Sequence, residues 1–365
     1  MKKQTVNTIL AQAGSRWDAK TGAVTMPIYQ TATFGHPALG QSTGFDYSRS
    51  ANPTRSALEE TLARLEGGAR GFAFASGLAA IDTVFRLFSP GDRIIVTEDL
   101  YGGTYRLFNQ VLKPYGIEVI AVDTSDIKNV QVINDPKVKG LFIESITNPM
   151  VRRADVSALS ALAKEKGWLF IVDNTFLTPY FLRPCELGAD ISVYSASKYL
   201  GGHNDVVAGA VVVKDAALAE RVAFYQNAVG AVLGPQDSWL LLRGLKTLHL
   251  RLQRQTENAT AIAAWLKKQL TVKAVHYPGV SGMLSFEAES AAAVKRVLER
   301  VRVFIFAESL GGVESLITYP AVQTHADIAP AERERLGIND RLLRVSVGIE
   351  DADDLIADLQ QALGA

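Results

Sequence analysis

Apolar and polar positions alternate along this chain in a way that separates three regions. Residues 1–50 are polar, rich in Thr, Ser, Gly and Gln, and carry only short apolar pieces. Such a segment is poorly suited to building a core of its own and reads as an arm laid over something else, the alternative being disorder. From about residue 57 the pattern becomes regular. Short apolar runs recur at 71–75, 93–97, 118–122, 140–144, 169–173, 191–195 and 208–213. Runs such as Ile94-Ile95-Val96 and Leu169-Phe170-Ile171-Val172 have no polar alternation, which predicts strands buried on both faces of a mainly parallel sheet. The segments 77–88 and 156–166 between them have helical spacing. Strand and helix in alternation predict an α/β sheet covered on both sides.

After Gly234-Pro235 the style changes. Leu241, Leu245, Leu248 and Leu252 form one helical stripe, read as core on a single long helix that enters a second domain. Strands are expected at 276–278, 283–286, 303–306 and 342–347, with helices near 290–300 and 351–363. The expected organisation is therefore an arm at 1–50, a large domain at 51–234 and a smaller C-terminal α+β domain at 235–365. No internal repeat or low-complexity tract interrupts it.

Composition narrows the function classes. Of 365 residues 48% are hydrophobic and 21% charged, an ordinary globular balance. Lys+Arg and Asp+Glu both number 38, so no global field favours nucleic acid or an anionic membrane. The same neutrality does little to oppose self-association. No apolar run reaches the length of a membrane span, and the basic start Met-Lys-Lys lacks a signal peptide's apolar core. The single Cys185 permits no intramolecular disulfide, which fits a reducing cytoplasm. The five histidines show no metal-ligand spacing, so no metal is expected.

Three clusters carry candidate chemistry. In Ser195-Ala-Ser197-Lys198-Tyr-Leu-Gly201-Gly202-His203, the two serines share one side of a strand, Lys198 follows its end, and two glycines allow a tight turn. Strand C-termini are where open α/β sheets bind ligands, and an amine beside hydroxyls suits a nucleophile next to a phosphate. In Val172-Asp173-Asn-Thr175 an acid ends an apolar strand with Thr175 on its own face. A carboxylate there is costly without a cationic partner. In Ala75-Ser76-Gly77-Leu78 a strand passes into a helix whose free N–H groups can hold phosphate. Each cluster taken alone has a plain structural counterpart: a solvated lysine, an Asp capping the next turn, a serine N-cap. No G-x-G-x-x-G, Walker A or G-x-S-x-G motif is present. Further candidates are Tyr101 before paired glycines, Asn148 before a proline, and the fork-shaped cations Arg49 and Arg344.

Together these segments resemble the Cys/Met-metabolism family of pyridoxal-5′-phosphate (PLP) enzymes, from about Pro27 to the C-terminus and in family order. The family spans cystathionine γ-synthases, cystathionine β- and γ-lyases, O-acylhomoserine sulfhydrylases and methionine γ-lyase. The resemblance implies PLP-dependent transferase fold type I (aspartate aminotransferase-like), with a seven-stranded sheet. It implies a Schiff base on Lys198, Asp173 paired to the pyridinium with Thr175 beside it, and Tyr101 stacked on the ring and taking part in catalysis. Gly77, Leu78, Ser195 and Ser197 would hold the phosphate, with Tyr47 and Arg49 reaching that of a neighbouring subunit. A homotetramer, a dimer of active dimers, follows from that sharing. Arg344, with Asn148 and Ser309, would take the substrate carboxylate, and Asp46, Arg106, Asn227 and Glu308 would line the pocket. An acid at 308 resembles the synthase members. The implied reaction in trans-sulfuration is γ-replacement on an O-acylhomoserine by cysteine, giving cystathionine, or by sulfide. The alternative is a C–S lyase acting on cystathionine. The loop between Tyr277-Pro-Gly and Gly282 is shorter than in most relatives.

Overall fold

The computed structural model describes all residues except 1–3, 16, 17, 19 and 365. The basic start at 1–3 therefore lies outside the described residues. Seven strands, β1 (Arg70–Phe74), β2 (Arg93–Thr97), β3 (Glu118–Val122), β4 (Val138–Glu144), β5 (Leu169–Asp173), β6 (Ile191–Ser195) and β7 (Gly209–Val213), make one mixed sheet. Their order is β1-β7-β6-β5-β4-β2-β3. As their unbroken apolar sequences require, every residue of β7 and all but the last of β6 are buried. The chain divides into two compact units, residues 1–89, 170–201 and 205–249 in the first and 90–169, 202–204 and 250–365 in the second.

In the first unit β7 runs antiparallel to both β1 and β6, while β5 and β6 are parallel. An antiparallel neighbour needs no crossover helix, so the chain returns from β6 to β7 through the loop 196–208. Because β1 and β6 both oppose β7, they point the same way as β5. The C-terminal ends of β1, β5 and β6 thus share one sheet edge. Phe74 and Ser195 both pair with Gly209 there.

The expected single helix bearing the leucine stripe is two helices, Pro235–Leu245 and Leu248–Leu266. All four leucines are fully buried, as a core stripe should be. The break follows Gly244, where a Cβ would lie 2.2 Å from the Gly201 carbonyl oxygen. Backbone crowding, which periodicity does not encode, sets that position.

In the second unit β2 pairs in parallel with β3 and β4. A five-stranded sheet follows, β8 (Val272–His276), β9 (Met283–Ala288), β10 (Ile305–Phe306), β11 (Leu316–Thr318) and β12 (Leu342–Ser346), in the order β10-β11-β12-β9-β8. Strand β11 was not expected; three residues are too few for a period to register. Leu284, Phe286, Leu343 and Val345 pack with Val297 and Leu359 of the helices Ala291–Arg300 and Ala352–Leu363. Side chains alternate along a strand, so Arg344 lies on the opposite face. It pairs across the sheet with Ser285 and Thr318. No helix among the described residues is long and apolar enough to cross a membrane.

Candidate active site

The first unit builds a cradle at the shared edge of β1, β5 and β6. The Ser76 hydroxyl accepts from Ala79 N at 3.1 Å and caps the helix Gly77–Phe85. The N–H groups of Gly77 and Leu78, the first two residues of that helix, have no acceptor inside it, which makes an anion site. Glycine is required at 77, since a Cβ there would lie 2.9 Å from Ser195 Cβ. Glycine is required at 209 for the same reason: its Cβ would meet the Ser76 carbonyl at 2.1 Å. Sheet and helix therefore approach more closely than any side chain allows.

Asp173 at the end of β5 accepts from both the N–H and the hydroxyl of Thr175, at 3.0 and 2.6 Å, on Oδ1. Thr175 Oγ1 in turn accepts from Ser195 N at 2.8 Å. A backbone donor on β6 is thus relayed through Thr175 to the carboxylate. Burial pushes Asp173 up to about 6, against the two Thr175 bonds that hold it down. Beside it, Asn174 donates to Leu182 O at 2.8 Å and to the Tyr194 hydroxyl at 3.2 Å. Tyr194 donates to Glu66, a fully buried acid that burial pushes up to about 8. Lys198 is half-buried in the turn that follows β6, a turn closed by Gly201 N on Ala196 O at 2.9 Å. The Ser197 hydroxyl is engaged with Ala208, accepting from its N at 2.9 Å and donating to its O at 3.2 Å. An anion site, a carboxylate in need of a cation and a lysine on one strand-end edge fit the phosphate, pyridine nitrogen and aldehyde of PLP.

The arm belongs to the same unit. From residue 28 to 50 not one side chain is buried. Tyr47 is 49% exposed, and Arg49 Cζ stands 5.7 Å from its ring centroid. The segment is nonetheless anchored by Arg55, a buried residue that donates to Ser48 O at 2.6 Å and Arg49 O at 3.1 Å. Asp46 is exposed, accepting from Ser42 Oγ at 2.8 Å. Asn227 on the helix Ala216–Val229 accepts from Ser50 Oγ at 3.0 Å.

The second unit assembles a guanidinium fork. Arg344, 1% exposed, donates to Asn148 Oδ1 at 2.9 Å, to Ser309 O at 2.8 Å and to Thr318 Oγ1 at 3.2 Å. Ser309 contributes its carbonyl, and holds a left-handed φ of 82° that few non-glycine residues adopt. Glu308 beside it is exposed. Arg106 pairs with Asp327 at 2.7 Å. Tyr101 is 42% exposed and its N–H donates to Glu144 Oε1 at 3.0 Å. The glycines after it make room for protein rather than for a ligand alone. A Cβ at Gly102 would sit 2.2 Å from Thr324 O, and one at Gly103 would sit 2.4 Å from the Tyr101 ring.

Two more residues of this unit touch the turn that bears Asn148, and one of them, His325, carries no mark in the sequence. Asp99, which burial pushes up to about 6, accepts from the Thr147 hydroxyl at 2.6 Å. His325, fully buried, bonds to Asn148 O at 2.9 Å. A histidine without a ligand-spaced partner carries no signal in sequence; only its contact shows what it touches.

The comparisons with known proteins give the family. The Cys/Met metabolism PLP-dependent enzyme family matches residues 7–364. The chain is 53% identical over 360 residues to the cystathionine gamma-synthase/O-acetylhomoserine (thiol)-lyase of Bacillus subtilis, covering 99% of this chain and 96% of that one. It is 49% identical to the cystathionine gamma-lyase of the same organism, covering 100% and 99%. Among solved structures it resembles cystathionine gamma synthase from Xanthomonas oryzae pv. oryzae in complex with aminoacrylate and cysteine, with TM-score 0.96 and 41% identity, covering 99% and 98%. Synthase and lyase names stand at nearly equal identity, so similarity alone does not separate the two reactions. The chain belongs to the Cys/Met metabolism PLP-dependent enzyme family, and its cofactor is PLP.

Proposed function

We propose that this enzyme catalyses γ-replacement on an O-acylhomoserine, with L-cysteine giving cystathionine or with sulfide giving homocysteine. The observation that carries this reading is the acid at 308. Glu308 is exposed and directly precedes Ser309, whose carbonyl is held by the buried Arg344. A carboxylate on the residue next to the fork suits the ammonium of an incoming amino-acid thiol.

PLP, when bound, withdraws electrons from the substrate's α-carbon. In this reading the chain supplies the rest. Asp173 pairs with the ring nitrogen; Gly77, Leu78, Ser195 and Ser197 hold the phosphate; Tyr101 stacks on the ring. Lys198 carries the cofactor and moves protons at the α- and β-carbons as a general base and acid. Arg344 and Asn148 receive the substrate carboxylate, and Asp46, Arg106 and Asn227 line the substrate's path. Tyr47 and Arg49 serve a neighbouring subunit, supported by the anchored stretch 28–50, which buries no side chain. The assembly is a homotetramer, and the place of action is the cytoplasm.

The test supplies O-acetyl- or O-succinylhomoserine with cysteine or sulfide, and cystathionine alone, and identifies products by mass spectrometry. Cystathionine or homocysteine formed by replacement is expected. Fast breakdown of cystathionine with negligible replacement would assign the C–S lyase reaction instead.

A further inference from the structure

We propose that His325 is a positioning residue for the substrate carboxylate: it holds the backbone of Asn148 so that Asn148 and Arg344 meet that carboxylate together. This rests on reading Arg344 as the carboxylate fork. A carbonyl only accepts, so the 2.9 Å contact to Asn148 O makes His325 Nε2 the N–H donor. In the neutral ring Nδ1 is then an acceptor, filled by the Thr324 hydroxyl at 2.8 Å. Both ring nitrogens are satisfied in a residue with no solvent exposure.

The contact matters because Asn148 is one of the anchors on the guanidinium. Arg344 takes its Oδ1, leaving the amide N–H donors of Asn148 for a ligand. The turn bearing Asn148 is held on its other sides by Thr147 on Asp99 at 2.6 Å and by Ser285 Oγ on Pro149 O at 2.7 Å. The carbonyl of Asn148 itself is held by His325. The histidine is wedged in turn, since Thr324 O occupies the space a side chain at Gly102 would need. Burial first, then Arg344 and more weakly Arg333, keeps the imidazole neutral down to about 4, against the backbone bonds to Asn148 and Leu100 that favour the charged form. A charged ring would repel the guanidinium it helps to place.

The experiment uses holoenzyme and a matched pair of unreactive probes, L-norvaline and n-butylamine, which differ only in the carboxylate. Binding is titrated by the change in cofactor absorption. His325→Asn, whose amide reaches only the Nδ1 position, is expected to weaken L-norvaline about tenfold or more and n-butylamine less than about twofold, as a small misplacement of a positioning group does. His325→Gln reaches the Nε2 position and should stay within about threefold of wild type for both. KM for the amino-acid substrate should rise more than kcat falls. Thr324→Val, which leaves the ring in place but frees Nδ1, should show the same selective loss at about threefold, and decides the matter if His325→Asn does not fold. Equal weakening of both probes, or unchanged norvaline binding, overturns the proposal. Arg344→Lys serves as control: if it discriminates between the probes and the His325 variants do not, the histidine assignment alone falls. If it too fails to discriminate, the carboxylate fork is wrong and this inference falls with it.

Discussion

Replacing Thr175 by valine keeps the side chain's shape and removes only the hydroxyl that links Ser195 N to Asp173. That hydroxyl donates to Asp173 Oδ1 at 2.6 Å and accepts from Ser195 N at 2.8 Å. A hydrogen bond to a charged group contributes about 1.5–3 kcal/mol. It favours the ionised carboxylate, so its loss raises Asp173 further from about 6. At about 1.4 kcal/mol per tenfold, the variant's Asp173 should titrate near about 7–8. Pairing with the cofactor's ring nitrogen then requires removing a proton that wild-type Asp173 has already lost at neutral pH. Titration of apoprotein with PLP, followed by absorbance, should show affinity about 2- to 10-fold weaker near pH 7. The loss should shrink as pH rises past about 8 and the carboxylate ionises again. Thr175→Ser, which restores the hydroxyl, should recover most of the affinity. The orphaned Ser195 N–H should also cost about 1–3 kcal/mol of stability. PLP affinity within twofold of wild type at every pH would refute the relay, whatever happened to stability.

Three further outcomes are expected. Lys198→Ala should abolish turnover and remove the visible absorption band of the purified enzyme. Asp358 accepts from Arg302 N, Val303 N and Phe304 N at 2.8–3.0 Å, the turn that leads into β10 and Glu308. Asp358→Asn removes the charge and puts an NH2 group where Oδ1 accepts from Arg302 N and Gln361 Nε2, and should lower stability to urea by about 2–4 kcal/mol. His325 stays neutral when folded down to about 4, whereas the unfolded chain takes up that proton from about pH 6.5 downward. Its stabilisation is therefore full above pH 6.5 and falls as pH drops towards 4, by about 3 kcal/mol at most. The difference in urea midpoint between wild type and His325→Gln across that range measures it; a difference independent of pH would contradict the assignment.

Much of this protein is legible in the sequence because its signals are local. Unbroken apolar runs read as doubly covered strands, and the seven of them are found at their expected places with ends shifted by one or two residues. The lysine turn, the acid ending β5 and the serine-capped helix are short motifs whose backbone requirements are written in adjacent residues. Lys198, Asp173 and Gly77 were therefore visible before any fold was known. The alternation in Leu342-Leu-Arg-Val-Ser already places Arg344 off the apolar face.

Tertiary structure decided what depends on contacts distant in sequence. That β7 runs against its neighbours brings Phe74, Gly209 and Ser195 into one row, and so sets Gly77 against Ser195. No periodicity carries strand direction. The glycines after Tyr101 read as room for a ligand, yet Gly102 yields its space to Thr324, more than two hundred residues on. Ser309 was a candidate beside the fork, and it is the carbonyl of this left-handed residue that Arg344 takes. His325 was silent because an isolated histidine has no pattern; burial and one carbonyl give it a role. Sequence determines which residues are able to do chemistry, since that follows from their own atoms and near neighbours. Which of them meet is decided by packing, because only the folded chain brings a carbonyl at 148 to an imidazole at 325.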